Sequence, residues 1–402
     1  MNPIHIYSEV NPLKEVLLHR PGRELNNLIP DFMEELLFDE IPYLEMAQEE
    51  HDRFADILRE NGAQVYYLED LAAEVMEDPR VKEEFIKEYI EECHIDLEKE
   101  QDIFYDYLMG FDDEKELILK TMEGTRRREL KKFHRTSLAE MVYADRKPFV
   151  AEPMPNLYFT RDPFSFVGNG VSINHMWSNT RNRETIYGKY IMKYHEDFKN
   201  KVPQIYDREQ KYPIEGGDIL VLSDTTVAIG ISQRTSPQAI EKFTKNLLEE
   251  TSFQRVLAFQ IPDKRAFMHL DTVFTMVDVD LFTIHPLIEE PLVVYSLEYK
   301  DGILLKREKG SLREILREYL GREVHLIPCG GDDPLDASRE QWNDGSNTLA
   351  IAPREVIVYD RNTVTNQLLE EYGVKLHIMR SGELSRGRGG PRCMSMPLKR
   401  EP

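Results

Sequence analysis

Glu15-Val16-Leu17-Leu18-His19-Arg20-Pro21 and Ala63-Gln64-Val65-Tyr66-Tyr67-Leu68 are two short runs rich in branched and aromatic residues, the first closed by a proline turn. Each reads as a strand. From about Tyr43 to Asn61, between them, apolar residues recur at helical spacing, so strand, helix and strand follow one another. This alternation is the signature of an α/β protein. It resumes after Pro148, with strands predicted near Tyr158–Phe159, Gly170–Asn174, Ile219–Leu222, Thr226–Ile231, Val273–Val277 and Val356–Tyr359. Helix starts are marked by Ser236-Pro237, an N-cap before proline, and by the capping box Ser311-Leu312-Arg313-Glu314.

The character changes from about Leu71 to Arg146. Val81, Phe85, Ile86, Tyr89, Ile90 and Cys93 recur at helical spacing, as do Leu117, Ile118 and Met122, followed by Leu130, with charged residues between them. We expect an inserted all-helical domain at 71–146, four or five short helices packed as a bundle, interrupting a catalytic α/β domain of residues 1–70 and 147–402. A structural or regulatory role suits the insertion better than a catalytic one.

The chain has 402 residues, 41% of them hydrophobic, and a formal net charge of -22. Such a charge repels phosphate backbones and anionic lipids, so neither nucleic acid nor membrane is the expected partner. A small cationic substrate fits, although acidity also serves solubility alone. No apolar run approaches the roughly 20 residues that cross a bilayer, and the N-terminus lacks the features of a signal peptide. A cytoplasmic location follows as the expectation. The three cysteines, Cys93, Cys329 and Cys393, are far apart and odd in number, which suits a reducing compartment. None pairs at zinc-ligand spacing, so neither metal nor cofactor is expected.

Four segments carry candidate chemistry. Arg386-Gly387-Arg388-Gly389-Gly390-Pro391-Arg392 runs directly into Cys393. Neighbouring arginines favour a thiolate, and glycines allow close backbone approach or loop movement. A flexible RNA-binding tail is the other reading, disfavoured by the acidic chain and by the apolar run after the cysteine. In Met268-His269-Leu270-Asp271-Thr272-Val273-Phe274, a strand would project His269 and Asp271 from one face, a proton carrier beside an anion. A histidine held by a local aspartate for structure alone has the same pattern. Glu215-Gly216-Gly217-Asp218 precedes an apolar strand, where paired glycines could aim the flanking carboxylates at a ligand or simply make a tight turn. Pro155-Asn156-Leu157-Tyr158-Phe159-Thr160-Arg161-Asp162-Pro163 places Asp162 where the chain must turn, able to face a cavity or to cap the turn.

Taken together and in this order, with Cys393 nine residues from the end, these segments resemble the arginine deiminase family of the guanidine-modifying, or pentein, superfamily. Phe38-Asp39-Glu40-Ile41-Pro42-Tyr43 and Glu340-Gln341-Trp342-Asn343-Asp344-Gly345 share in the resemblance, which spans nearly the whole chain. It implies a five-bladed α/β propeller of pseudo-fivefold symmetry with a central site. It further implies Cys393 as nucleophile, His269 as general acid/base with Glu215 beside it, and Asp162 and Asp271 as the carboxylates gripping a guanidinium. Arg181 and Arg234, assisted by Asn156, would clamp the substrate carboxylate, Phe159 would line the pocket, and Arg388 would be a mobile loop arginine. Asp218 joins the substrate-binding set as the second carboxylate beside the paired glycines. The expected substrate is L-arginine, and a homodimer or larger assembly is expected. Related activities remain open: agmatine deiminase, disfavoured by the two arginines of the clamp, dimethylarginine hydrolase and amidinotransferase, as well as a non-catalytic arginine-binding protein.

Overall fold

The computed structural model describes residues 2–132, 137–143, 148–262, 264–288 and 292–402. Within them one motif occurs five times: two antiparallel strands, a helix, and a third strand parallel to the second. In the first unit, Phe164–Val167 pairs with Gly170–Ile173, helix Thr185–Tyr194 follows, and Gln204–Tyr206 returns parallel. The second has Ile219–Val221, Thr226–Ile231, helix Pro237–Glu250 and Arg255–Gln260. It is widened by the hairpin Val293–Tyr299 and Ile303–Arg307. The third has Phe274–Asp278, Leu281–Ile284, helix Leu312–Leu320 and His325–Pro328. The fourth has Leu349–Ala352, Glu355–Tyr359, helix Thr363–Glu371 and Lys375–Met379.

The two ends of the chain make the fifth unit. Met396–Arg400 pairs antiparallel with Leu13–Leu18, helix Leu44–Glu60 follows, and Gln64–Tyr67 runs parallel to Leu13–Leu18. Neighbouring units touch in cyclic order, and strand Met396–Arg400 packs on Phe164–Val167 of the first. This is the five-unit α/β architecture that the resemblance implies.

Local chemistry explains the helix starts. The Ser236 hydroxyl accepts from the Ala239 N–H ahead of helix Pro237–Glu250, with Pro237 in the first turn. Ser311 and Glu314 form the predicted capping box. Two expectations are corrected. Residues 155–163 make successive turns rather than a strand at Tyr158–Phe159, because the chain must swing Asp162 inward before Pro163. His269 and Asp271 do not share a strand face either: His269 is extended and Asp271 lies in the 3-10 turn Leu270–Thr272. That turn aims the two side chains separately, which an extended strand could not do.

The region between the fifth and first units carries the helices Leu68–Met76, Pro79–Glu92, Glu98–Met109, Glu114–Glu123 and Leu138–Tyr143, but it is not all-helical, because Thr125–Arg126 pairs as a short antiparallel strand with Phe149–Ala151. Helix begins at Leu68, directly after the strand; positions 133–136 and 144–146 of the predicted insertion lie outside the described residues. The expected apolar stripe, Val81, Phe85, Ile86, Tyr89 and Ile90, is buried. Phe85 meets Tyr190 of the first unit edge-on at 5.2 Å. Burying such a side chain stabilises by roughly 1.5–3 kcal/mol. One continuous apolar cluster joins these helices to Leu17, Phe164, Ile240 and Leu398 of the units.

Candidate active site

In four of the five units the first strand is entered through a segment that carries a candidate residue. Asp162 precedes the first unit, Glu215 the second, His269 and Asp271 the third, and Cys393 the fifth; the fourth is preceded by Asn347. Five hydrogen bonds tie these segments into a closed ring. The Gly216 N–H donates to the Asp162 carbonyl at 3.2 Å, and the Leu270 N–H to Asp218 Oδ1 at 2.8 Å. Asn347 Nδ2 donates to the Asp271 carbonyl at 3.0 Å. The Cys393 N–H donates to Asn347 Oδ1 at 3.1 Å, and the Arg161 N–H to the Cys393 carbonyl at 3.1 Å. Residues separated by hundreds of positions thus converge on one centre.

All eleven site residues expected from the sequence are buried, none more than 8% exposed. Burial of so many ionisable groups requires partners or a ligand. Asp162 Oδ2 accepts from Arg181 Nη1 at 2.9 Å, and Asp271 Oδ2 from Arg392 Nη1 at 2.8 Å. The second oxygen of each, Asp162 Oδ1 and Asp271 Oδ1, is buried with no hydrogen-bond partner. Cys393 Sγ stands 3.6 Å from Asp271 Oδ2. Burial pushes the thiol well above its ordinary range, and Asp271, Asp162 and Asp344 push it further.

His269 Nε2 lies 2.7 Å from Glu215 Oε2 and its Nδ1 3.9 Å from Asp162 Oδ1. Burial pulls the imidazole pKa down, but Asp162 and then Glu215 and Asp218 raise it, to about 9. Glu215 is drawn the other way: burial raises it, while Arg234 and His269 hold it at about 2. At neutral pH the pair is an imidazolium beside a carboxylate. A Cβ on Gly217 would lie 2.7 Å from the imidazole ring, which explains a glycine there.

Among the described residues, Asp162, Glu215 and His269 are the set whose ligating atoms fall within 4.8 Å of one another and could surround a cation. The carboxylates suit a planar organic cation, which donates hydrogen bonds to acceptors on both sides.

The remaining expected residues differ in placement. Asn156 Nδ2 donates to the Leu36 carbonyl at 2.8 Å. The Phe159 ring lies beneath the glycine-rich loop, where a Cβ on Gly389 would collide with it. Arg388 stacks on Trp342, 3.5 Å from the ring centroid, with Asp39 Oδ2 at 3.6 Å. Asp218 is a correction. One of its oxygens holds the Leu270 N–H and the other the Ser232 hydroxyl, so it supports the backbone behind His269 instead of facing a ligand.

The model of the family "Arginine deiminase" matches residues 34–400. The chain belongs to the arginine deiminase family. It is 56% identical to the arginine deiminase of Streptococcus sanguinis (strain SK36) over 405 aligned positions, covering 100% of this chain and 99% of that protein. That of Streptococcus pneumoniae (strain CGSP14) is 55% identical with the same coverage. Solved structures share the fold at low identity. SxtG, an amidinotransferase from Microseira wollei, superposes with a TM-score of 0.57 at 14% identity, covering 100% of this chain and 98% of that one. The N-terminal domain of ArgZ covalently bound to a reaction intermediate gives 0.54 at 15%, covering 96% and 98%. DDAH from Pseudomonas aeruginosa in complex with citrulline gives 0.53 at 14%, covering 96% and 99%.

This arginine deiminase family member also uses residues that sequence reading missed. Asn347, in the ring, stands just before an apolar strand, the same position as Glu215, and that signal was available. Arg392 was seen only as a charge near the thiol; it is buried between Asp271 and Glu9, whose oxygens accept from it at 3.1 Å. Glu9 lies 384 positions before Cys393, and nothing local marks it. Glu184 binds Arg181 at 2.9 Å.

Proposed function

We propose that this chain hydrolyses L-arginine to L-citrulline and ammonia through a covalent intermediate on Cys393. The observation that carries this reading is the pair of buried carboxylate oxygens without a hydrogen-bond partner, Asp162 Oδ1 and Asp271 Oδ1, on two aspartates whose charges act on one thiol. Leaving such acceptors unsatisfied costs about 1–3 kcal/mol each, a cost a guanidinium removes. A guanidinium is a planar cation whose N–H groups can reach both oxygens, leaving its central carbon in front of Sγ.

Bound substrate adds positive charge beside Cys393 and favours its thiolate. The sulfur attacks the guanidinium carbon, and the His269 imidazolium gives its proton to the departing nitrogen, which leaves as ammonia. The adduct is then a thiouronium on Cys393. Water attacks it, neutral His269 takes one water proton, and the C–S bond breaks as the remaining hydroxyl proton passes to the departing sulfur, releasing citrulline and restoring the thiol. Glu215 keeps His269 cationic for the first half of the cycle, while Arg181 fixes Asp162 and Arg234 faces the substrate carboxylate. Arg388 belongs to a loop that admits substrate to this closed site.

We further propose a cytoplasmic homo-oligomer with no nucleic-acid partner. The cysteines are all free, which supports a reducing compartment. The loop arginines are engaged internally, Arg386 by Glu383 and Arg392 by Glu9, which argues against RNA. Among the described residues no helix is long and apolar enough to cross a membrane.

The test is release of citrulline and ammonia from L-arginine by the purified protein in chelator, beside Cys393→Ala, with agmatine, methylated arginines and glycine as controls. Equimolar products from arginine alone, abolished in Cys393→Ala, support the reading; no turnover, or transfer to glycine, overturns it.

A further inference from the structure

The chain has two tryptophans, and each lies over an arginine of the site. Trp342 carries Arg388, and the Trp177 ring centroid is 4.9 Å from the Arg234 guanidinium carbon. Trp177 is 44% exposed, so its position is not explained by burial in the core.

The two arginines assigned to the substrate carboxylate are held very differently. Arg181 donates from Nη1 to Asp162 and from Nε and Nη2 to Glu184, so its guanidinium is engaged on all sides. Arg234 is 5% exposed, yet its Nε has no hydrogen-bond partner. Its Nη1 is 3.6 Å from Glu215 Oε2, and its Nη2 reaches only the Met268 sulfur at 3.8 Å. A buried guanidinium with donors left over is poised for an acceptor that arrives from outside. Its orientation then needs a support that consumes no donor. The face of an indole is such a support, because it attracts the cation through its quadrupole and leaves the N–H groups free. The Trp177 backbone N–H also donates to Glu215 Oε1 at 3.0 Å, so one residue fixes both the platform under Arg234 and the carboxylate that charges His269.

We propose that Trp177 is a positioning residue for substrate recognition, whose indole face holds Arg234 with its donors available to the carboxylate of the incoming amino acid. The inference rests on the arginine deiminase reading. It makes Arg234 the main acceptor-binding arm and Arg181 chiefly the brace of Asp162. The backbone N–H to Glu215 survives any side-chain change at Trp177, so proton transfer at His269 is spared while carboxylate binding is lost.

The experiment compares the unmodified protein with Trp177→Leu and Trp177→Phe. The readouts are kcat and KM for L-arginine and the competitive inhibition constant of L-argininamide, which lacks the carboxylate. In Trp177→Leu, KM should rise about tenfold with kcat within about twofold, while the inhibition constant of argininamide stays put. Trp177→Phe, which keeps an aromatic face, should recover most of the affinity. Equal losses for arginine and argininamide, a fall in kcat at constant KM, or a Phe variant as weak as the Leu variant would each overturn the proposal. Absence of citrulline from the unmodified protein would instead sink the activity reading and take this inference with it.

Discussion

At the scale of single residues, the proposed nucleophile stands where its thiolate is disfavoured. Burial and the nearby carboxylates hold the Cys393 thiol protonated. A bound guanidinium between Asp162 and Asp271 offsets those charges, so the thiol pKa should fall on binding. Ultraviolet titration of the thiolate with and without a non-reactive arginine analogue measures this; an unchanged pKa would rule out substrate-assisted ionisation. His269 carries the opposite dependence. Its folded pKa of about 9 lies above its ordinary 6.5, so the stability it contributes is complete below pH 6.5 and is lost as pH rises through about 9. On the proposed mechanism the same loss of the imidazolium should end activity on the alkaline side. Glu215→Gln removes one of the groups that raise this pKa, and the alkaline limb of kcat should move down by about one pH unit. A pH–rate profile with its alkaline limb in place would show that Glu215 does not set the charge of His269.

At the scale of elements, the glycine-rich loop is shaped by what lies beneath it. Gly387, Gly389 and Gly390 have no room for a Cβ, against Tyr158, Phe159 and Asn347 respectively. The sequence allows close backbone approach or movement for such a loop, and the structure gives these glycines a packing reason: the backbone lies directly on two aromatic rings and Asn347. Gly389→Ala should lift the loop off Phe159 and shift Cys393 against Asp271. A displacement of about 1 Å at reacting atoms costs on the order of 100-fold in rate, and that is the expected fall in kcat/KM. Thermal unfolding should change little by comparison, and wild-type kcat/KM in Gly389→Ala would refute this account. The helix insertion shows the same dependence on surroundings. Its predicted stripe is correct, but Tyr190 and Lys189 of the first unit bind Glu88 on it at 2.9 and 2.6 Å.

At the scale of the whole molecule, the fifth unit closes the ring with the two chain ends, and buried charge secures that closure. Glu9 faces Arg392, with Arg161 and Arg400 close by; burial raises its pKa, but these arginines bring it to about 2. Removing one member of a buried ion pair typically costs about 3–5 kcal/mol, so Glu9→Gln should lower unfolding stability in urea by that amount. The sign with pH follows from the depressed pKa. Glu9's contribution is present above its ordinary 4.5 and is lost as pH falls toward about 2. Glu9→Gln should therefore flatten the acid side of the stability profile. A variant as stable as wild type at neutral pH would show that Glu9 is not what balances the buried arginines.

The sequence by itself determined what depends on near neighbours. Helical stripes such as Val81 to Ile90, the caps at Ser236 and Ser311, and the strands Thr226–Ile231 and Gly170–Ile173 follow from periodicity and local hydrogen bonding, whose range is a few residues. Residue types beside glycine and proline marked Asp162, Glu215 and Cys393, where the chain turns before a strand, and the His-x-Asp pattern marked His269. Tertiary structure decided the rest. Asp218 supports the backbone instead of facing the ligand, the Tyr158–Phe159 segment is a turn, and Asp271 leaves the face of His269, since in each case a contact distant in sequence outweighs local preference. Glu9, Asn347 and Trp177 gain their places only when the ring closes. Electrostatics and hydrogen bonding act through space over a few ångströms, so which buried charge meets which partner is fixed by the fold and not by chain order.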